Sequence, residues 1–347
     1  MTEYLYEKIY QIVKDKINRN ELTIGDMVPT ELELSREFGV SRITSKRALQ
    51  ELEQDGYITR IRGKGSFVKE RTTNPFVKRQ EIVLVMPFNA DHEFGQYARG
   101  ISDVLDYSPY ELAIRISDKF TIEQLEQYQG LIYYPENVKN SLELVYQAQL
   151  NQLPVVLLDK DLEMFSYPAV TSDNQGGAYQ LTKHLANRGC QKILFVGMES
   201  LAEVSSVRDR YFGYLKACSE LNLKSYHLES SHERSLDQLI EEIMVEVTDD
   251  VSIYCGLVVE SDWLAIQIVQ QLQALQLSVP DDFAVVGFDD IEASRLIEPH
   301  LTTAAQNFYQ MGKVAGELIL KEMKQEDLKE QHIAIPVELK LRKSSQQ

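Results

Sequence analysis

The stretch "GVSRITSKRALQELEQDGYITRIRGKGSFV", Gly39–Val68, decides how the N-terminal part of this 347-residue chain folds. Ser41 stands where a helix cap is wanted, Ala48, Leu49 and Leu52 follow at helical spacing, and Gly56 ends the run. Apolar residues so spaced predict a helix with one buried face. The opposite face carries Arg42, Thr44, Lys46 and Arg47. "YITRIRGKGSFV" then alternates apolar and basic residues around a glycine-containing turn, which predicts a two-stranded hairpin. Upstream, Leu5, Ile9, Ile12, Val13 and Ile17 predict a first helix. Thr30 and Glu33 form a capping-box pattern that opens a second, in which each side chain satisfies the other's free backbone donor. Leu32, Leu34 and Phe38 are its core candidates, and Gly39 its stop. Three helices followed by a hairpin make a winged helix-turn-helix. Its third helix enters a major groove N-terminal end first, which puts Arg42 and Thr44 at base edges and phosphates. At the wing tip, Gly63-Lys64-Gly65, only the lysine is bulky, so backbone can approach DNA and Lys64 can reach phosphate or the minor groove.

Charge separates this segment from the rest. Residues 1–80 hold 15 Lys/Arg and 12 Asp/Glu, whereas the remainder holds 21 and 41, a net of −20. An acidic body of that size repels nucleic acid, so DNA contact falls to the first segment. Hydrophobic content of 44% with 26% charged residues is the profile of a soluble globular protein, and the length suits two or three domains. No run approaches the length of a membrane span, and "MTEYLYEKIYQIVKDK" lacks the basic-then-apolar order of a secretory signal. Cys190, Cys218 and Cys255 lie far apart without metal-ligand or redox spacing, as reduced, mostly buried thiols of a cytoplasmic protein.

"RTTNPFVKRQ" (71–80) is polar and basic with Pro75, and reads as a linker. Beyond it, short apolar runs alternate with amphipathic segments. "IVLVM" (82–86), "LAIRI" (112–116), "GLIYY" (130–134) and "PVVLLD" (154–159) are strands of a first half; "KILFVG" (192–197), "YCGLVVE" (254–260) and "FAVVGFDD" (283–290) of a second. Segments 174–188 and 262–276 carry helical apolar spacing. Repeated βα units predict parallel sheets covered on both faces, here as two Rossmann-like subdomains of about a hundred residues each. Two such sheets facing each other leave a cleft at their strand ends that suits a small polar molecule. The chain has no P-loop, no GxGxxG after a strand, no nucleophile elbow and no HExxH, and its six histidines are scattered. We expect neither catalysis nor a cofactor or metal.

Residues 3–69 resemble the DNA-binding domain of the GntR family of bacterial regulators, on the residues quoted above. The resemblance implies that Arg42, Thr44 and Lys46 make the main DNA contacts, with Gly65 and its neighbours on the wing. Lys46 departs from the arginine more usual there; a lysine is a point donor without a bidentate fork, so it should hold phosphate. "DNQGGAYQLTKHLANRGCQKILFVG" (173–197), "RDRYFGY" (208–214), "VPDDFAVVGFDD" (279–290) and "PHLTTAAQNFYQMGKVA" (299–315) are similar to the effector domain of the LacI family, over about 82–343. That resemblance implies a periplasmic-binding-protein-like α/β domain, and boundaries of 1–70 for the winged helix, 71–80 for the linker and 81–343 for the effector and dimerisation domain. It carries Arg208 and Asp289 to the ligand site, as an arginine fork and a strand-end carboxylate that together read vicinal hydroxyls. Phe94 aligns with an aromatic at the mouth of the first half. Trp263, the only tryptophan, is either a second ligand-facing ring or a partly buried helix residue. Arg208 could instead pair with Asp209 or another surface acid, and Asp289 and Asp290 could simply cap the next helix. Glu260-Ser261-Asp262 occupies a turn where relatives often show Asn-Asp, and "KERTTNPFVKRQEI" does not resemble the family's hinge helix. The joined resemblances imply a homodimeric repressor on double-stranded operator DNA, released by a sugar, with L-arabinose the first expectation. Another sugar or a purine as effector, or a sugar-binding module without gene control, stays open.

Overall fold

A computed structural model of the chain describes residues 5–19, 21–54, 56–61, 64–69, 80–87, 92–228, 234–248, 253–326 and 331–346. They divide into two compact units, Met1–Lys78 and Arg79–Gln347.

The first unit runs α1 (Leu5–Asn18), β1 (Met27–Val28), α2 (Glu31–Phe38), α3 (Arg42–Gln54), β2 (Ile58–Ile61) and β3 (Gly65–Val68). The capping box forms as expected: Glu33 N donates to Thr30 Oγ1 at 3.3 Å, and Thr30 N to Glu33 Oε2 at 2.7 Å. Gly39 ends α2 in the left-handed conformation. Ile9, Val13, Leu34, Ala48, Leu49 and Leu52 fill one core with Tyr57, Ile58 and Val68 of the hairpin. Leu32 is exposed, because it lies about 200° round the helix from Leu34 and the two cannot share a face. β1, two residues long, pairs antiparallel with β3 and widens the wing to the order β1-β3-β2. Too short for periodicity, it was not expected from sequence.

In the second unit, β4 (Gln80–Met86), α4 (His92–Leu105), β5 (Tyr110–Ile116), β6 (Gly130–Tyr133), α5 (Val138–Leu150), β7 (Val155–Leu158) and β8 (Ala169–Ser172) build a first lobe. The chain then crosses into a second lobe: α6 (Asn174–Asn187), β9 (Lys192–Val196), α7 (Ser205–Glu220), β10 (Tyr226–Leu228), α8 (Leu236–Thr248), β11 (Cys255–Val259), α9 (Asp262–Ala274), β12 (Phe283–Asp289) and β13 (Thr302–Ala305). It crosses back for α10 (Phe308–Glu322) and β14 (His332–Ile335), and once more for β15 (Glu338–Lys340). The sheets are β14-β8-β7-β6-β4-β5, wholly parallel, and β10-β9-β11-β12-β13-β15, in which only β15 is antiparallel. Each is covered on both faces, which is why its central strands read as unbroken apolar runs.

The two halves are therefore not the successive blocks expected from sequence. α10 packs on α4 and completes the first lobe. Glycines make that contact a backbone one: a Cβ on Gly100 would lie 2.2 Å from Tyr309 O, and one on Gly312 2.2 Å from Tyr97 O. Three crossings, near residues 173, 306 and 336, tie the lobes side by side with strand ends facing the same cleft.

Candidate functional site

On α3 the core side is fixed by Ser45, Ala48, Leu49 and Leu52, all nearly inaccessible. Arg42, Ile43, Lys46, Arg47 and Gln50 are left facing outward, with Thr44 half-buried. Thr44 N donates to Ser41 Oγ at 3.2 Å, so Ser41 caps the helix and holds its first turn in place. Arg42 and Lys46 have no ion pair among the described residues. Arg42 shares a groove with Lys64 and Gly65 of the wing. Lys64 N closes the wing turn on Ile61 O at 2.9 Å, and Gly65 sits at φ +122°, where a side chain would be strained. Gly63 lies outside the described residues. Arg47, expected on the DNA face, is tied elsewhere: its guanidinium stacks 3.8 Å over the Tyr6 ring, donates to Tyr6 Oη at 3.1 Å, and pairs with Glu51 at 3.2 Å.

The cleft of the second unit encloses about 380 Å³, within the usual size of a small-molecule pocket. The first lobe lines it with Tyr134, Asp159 and Lys160, the second with Arg210, Glu260 and Asp289, and a crossing with Gln306. Asp159 follows β7, Glu260 follows β11, and Asp289 ends β12. Asp159 and Asp289 hold φ of +71° and +122°, costly backbone of the kind concentrated at ligand sites.

Arg210 organises the cleft. Buried on α7, it donates from Nε to Asn174 Oδ1 at 2.9 Å and from Nη1 to the Glu260 carbonyl. Its Nη2 lies 3.4 Å from Asp289 Oδ1, and the guanidinium stacks 3.8 Å over Phe288. Gln306 Nε2 donates to Asp289 Oδ1 at 2.6 Å, and Ser172 Oγ donates to Gln306 Oε1 at 2.6 Å. The carboxylate is thus linked to two of the three crossings. Across the cleft Lys160 Nζ pairs with Asp159 at 2.9 Å and lies 3.9 Å from the Tyr134 ring centre. Asp290, next to Asp289, points the other way into Arg295 and Arg342.

Burial raises the cleft acids, and local cations decide which stay low. Asp289 is pushed up to about 6 by burial against the pull of Arg210, and burial likewise drives the fully enclosed Asp262 well above the usual carboxylate range. Burial would also raise Asp159, but Lys160 and Arg210 outweigh it and hold that carboxyl low. Glu260 rises to about 7 through burial, although Met198 N and Glu199 N donate to it. A carboxyl whose folded pKa exceeds its unfolded one favours folding most when protonated. Its contribution is full below the ordinary glutamate range and is lost as pH rises toward 7. Between pH 5 and 7 that loss is about 2 kcal/mol. Urea unfolding of the wild type and Glu260→Gln at both pH values should show the decline reduced by that amount in the variant; equal declines would show that Glu260 is not the group responsible.

Of the expected ligand residues whose side chains are described, Asp289 reaches the cleft lining. Arg208 does not: it pairs with Glu163, a surface acid. The physical reason is helical. Arg208 lies about 200° round α7 from Arg210, so only one of them can face inward. Gly213 marks the inward face, since a Cβ there would lie 2.1 Å from Gln175 O, and Arg210 is three residues from it on that face. That spacing, arginine then glycine three residues on, was the available signal. Trp263 is 67% exposed and outside the cleft lining, because its neighbour Asp262 takes the buried side of the first turn of α9, bonded to Thr303 Oγ1 at 2.6 Å. Phe94 is on the first turn of α4, and its side chain lies outside the described residues. Asp159, Lys160, Glu260 and Gln306 were not chosen from sequence. An Asp-Lys pair closing a buried strand was a usable sign, whereas Gln306 carried none.

Comparison with known proteins agrees with this architecture. Residues 5–68 match the model of the gntR family of bacterial regulatory proteins, and residues 182–345 that of the periplasmic binding protein-like domain. The chain is 28% identical to the arabinose metabolism transcriptional repressor of Geobacillus stearothermophilus, over 92% of this chain and 91% of that protein. It is 26% identical to a ribose operon repressor of Halalkalibacterium halodurans, over 76% and 79%. Among solved structures, the transcription regulator CcpA of Lactococcus lactis superposes with a TM-score of 0.65 at 22% identity, over 78% of this chain and 100% of that one. A LacI family regulator of Enterococcus faecium with bound ribose gives 0.63 at 23%, over 77% and 98%. At such identities the structures speak for the fold.

Proposed function

Since the chain belongs to the regulators that join a GntR-type DNA-binding domain to a LacI-type, periplasmic-binding-protein-like effector domain, we propose that it represses sugar-utilisation genes and leaves its operator when a sugar fills the cleft. The observation that carries this reading is the arrangement around Arg210. A donor fork lies beside the acceptor Asp289, with Asp159 across the same buried cleft, which is what vicinal hydroxyls require. The acids lining the cleft outnumber its two cations, Lys160 and Arg210, which disfavours phosphorylated or carboxylated ligands. L-arabinose is the first candidate, supported by the arabinose repressor among the relatives.

One winged helix contacts few bases, so two copies are needed on a near-palindrome. The protein acts as a homodimer in the cytoplasm, where operator DNA is, and carries out no reaction. Among the described residues no helix is long and apolar enough to cross a membrane. Operator binding, followed by fluorescence anisotropy, should weaken roughly 5–150-fold at saturating sugar. By linkage, DNA must weaken sugar binding by the same factor. Calorimetry with pentoses, hexoses and purine bases identifies the ligand. Binding to a purine alone, or tighter DNA binding with sugar, would reject the induction reading.

A further inference from the structure

Among the described residues the most exposed large hydrophobic side chain is Ile43, at 80%. It is the second residue of α3, between Arg42 and Thr44, with Lys46 and Arg47 one turn further on. The core side of that helix is already filled by Ser45, Ala48, Leu49 and Leu52. A β-branched residue at this position therefore lowers helix propensity and gains no burial. Its setting is cationic: Arg42 and Lys46 flank it, and the groove toward the wing adds Lys64. That setting matches a polyanion in charge, and a duplex offers one apolar feature in its major groove, the 5-methyl group of thymine.

We propose that Ile43 reads a thymine methyl in each half-site and so fixes a base that neither Arg42 nor Lys46 specifies. The proposal rests on α3 being the groove-entering helix. Arg42 supplies donors, which suit guanine, and Lys46 a point charge, which suits phosphate; neither distinguishes thymine from cytosine. An aliphatic side chain does, because covering the methyl removes apolar surface from water, whereas cytosine presents no methyl group at that place.

The test uses the full chain and a duplex enriched by it from a random-sequence pool. Each thymine is replaced singly by deoxyuridine, which removes only the methyl. Burial of one such group corresponds to about fourfold in affinity. The wild type should lose that factor at one position per half-site. Ile43→Ala should bind the thymine and uridine duplexes alike, and Ile43→Val should retain part of the difference. Being exposed, the position tolerates both changes without unfolding. No uridine effect in the wild type would overturn the proposal, as would an equal effect in Ile43→Ala, which assigns the methyl to another side chain. If no sequence is enriched at all, the DNA-binding reading falls as well, an outcome distinct from an enriched site indifferent to its methyl groups.

Discussion

Arg210→Ala should give a repressor that binds operator normally and ignores the effector. The side chain is 5% exposed and holds Asn174, the Glu260 carbonyl and Asp289 at once. Removing it takes the donor fork from the cleft and leaves Asp289 buried without the cation paired to it. Breaking one partner out of a buried pair costs about 3–5 kcal/mol. Part of that appears as lower stability of the body and part as lost ligand affinity, for which a hundredfold or more is expected. The winged helix has its own core, so DNA affinity should hold. Arg210→Lys keeps a charge but not the fork and should fall between. Arg208→Ala is the informative control: its partner is a surface acid, and exposed pairs contribute about 0–1 kcal/mol. Calorimetry with the identified sugar, beside operator release followed by anisotropy, separates the two arginines. If Arg208→Ala lost the response and Arg210→Ala kept it, the assignment of the cleft would be wrong.

Arg42→Ala should weaken operator binding more than any other single change on the winged helix. The loss is on the order of 1–3 kcal/mol per half-site. Two half-sites make that about thirtyfold or more, with relaxed preference at one base pair in each. Lys64→Ala should instead weaken all sequences alike and flatten the dependence on salt, as the loss of a phosphate contact does. Arg47→Ala should change little, because its guanidinium is engaged by Tyr6 and Glu51. Affinities for the selected duplex and its single-base variants, at matched ionic strength, rank the three. Unchanged affinity in Arg42→Ala would move the groove-entering surface away from the first turn of α3.

The winged helix was legible nearly to the residue because its signals are local. A capping box, a left-handed glycine and an apolar stripe act within a few positions, so Thr30, Gly39 and Leu49 stand as the sequence implied. β4, β6 and β7 were equally plain, since burial on both faces writes them as apolar runs. β14 and β15 were not. "HIAI" and "ELK" are short edge strands that pair across long separations, which no local pattern encodes. The ligand site shows the same division. Asp289 was visible as the end of an apolar strand, but choosing between Arg208 and Arg210 needed the rotation of α7. Gln306 needed both lobes to be placed side by side.

The threading of the chain through three crossings bears on how the protein is made. As a ribosome releases it, the strands β4 to β8 emerge before the second lobe but wait for α10, the helix that packs beside α4 on the same face of their sheet, and for β14 at their edge. The second lobe, whose strands β9 to β13 are contiguous, has nearly all its parts earlier. The lobe synthesised first is therefore the last to be finished, and a premature stop anywhere before Phe308 leaves it with an uncovered apolar face. Losing only the last sixteen residues would strip an edge strand from both sheets at once. Neither lobe is encoded by a single continuous piece of gene.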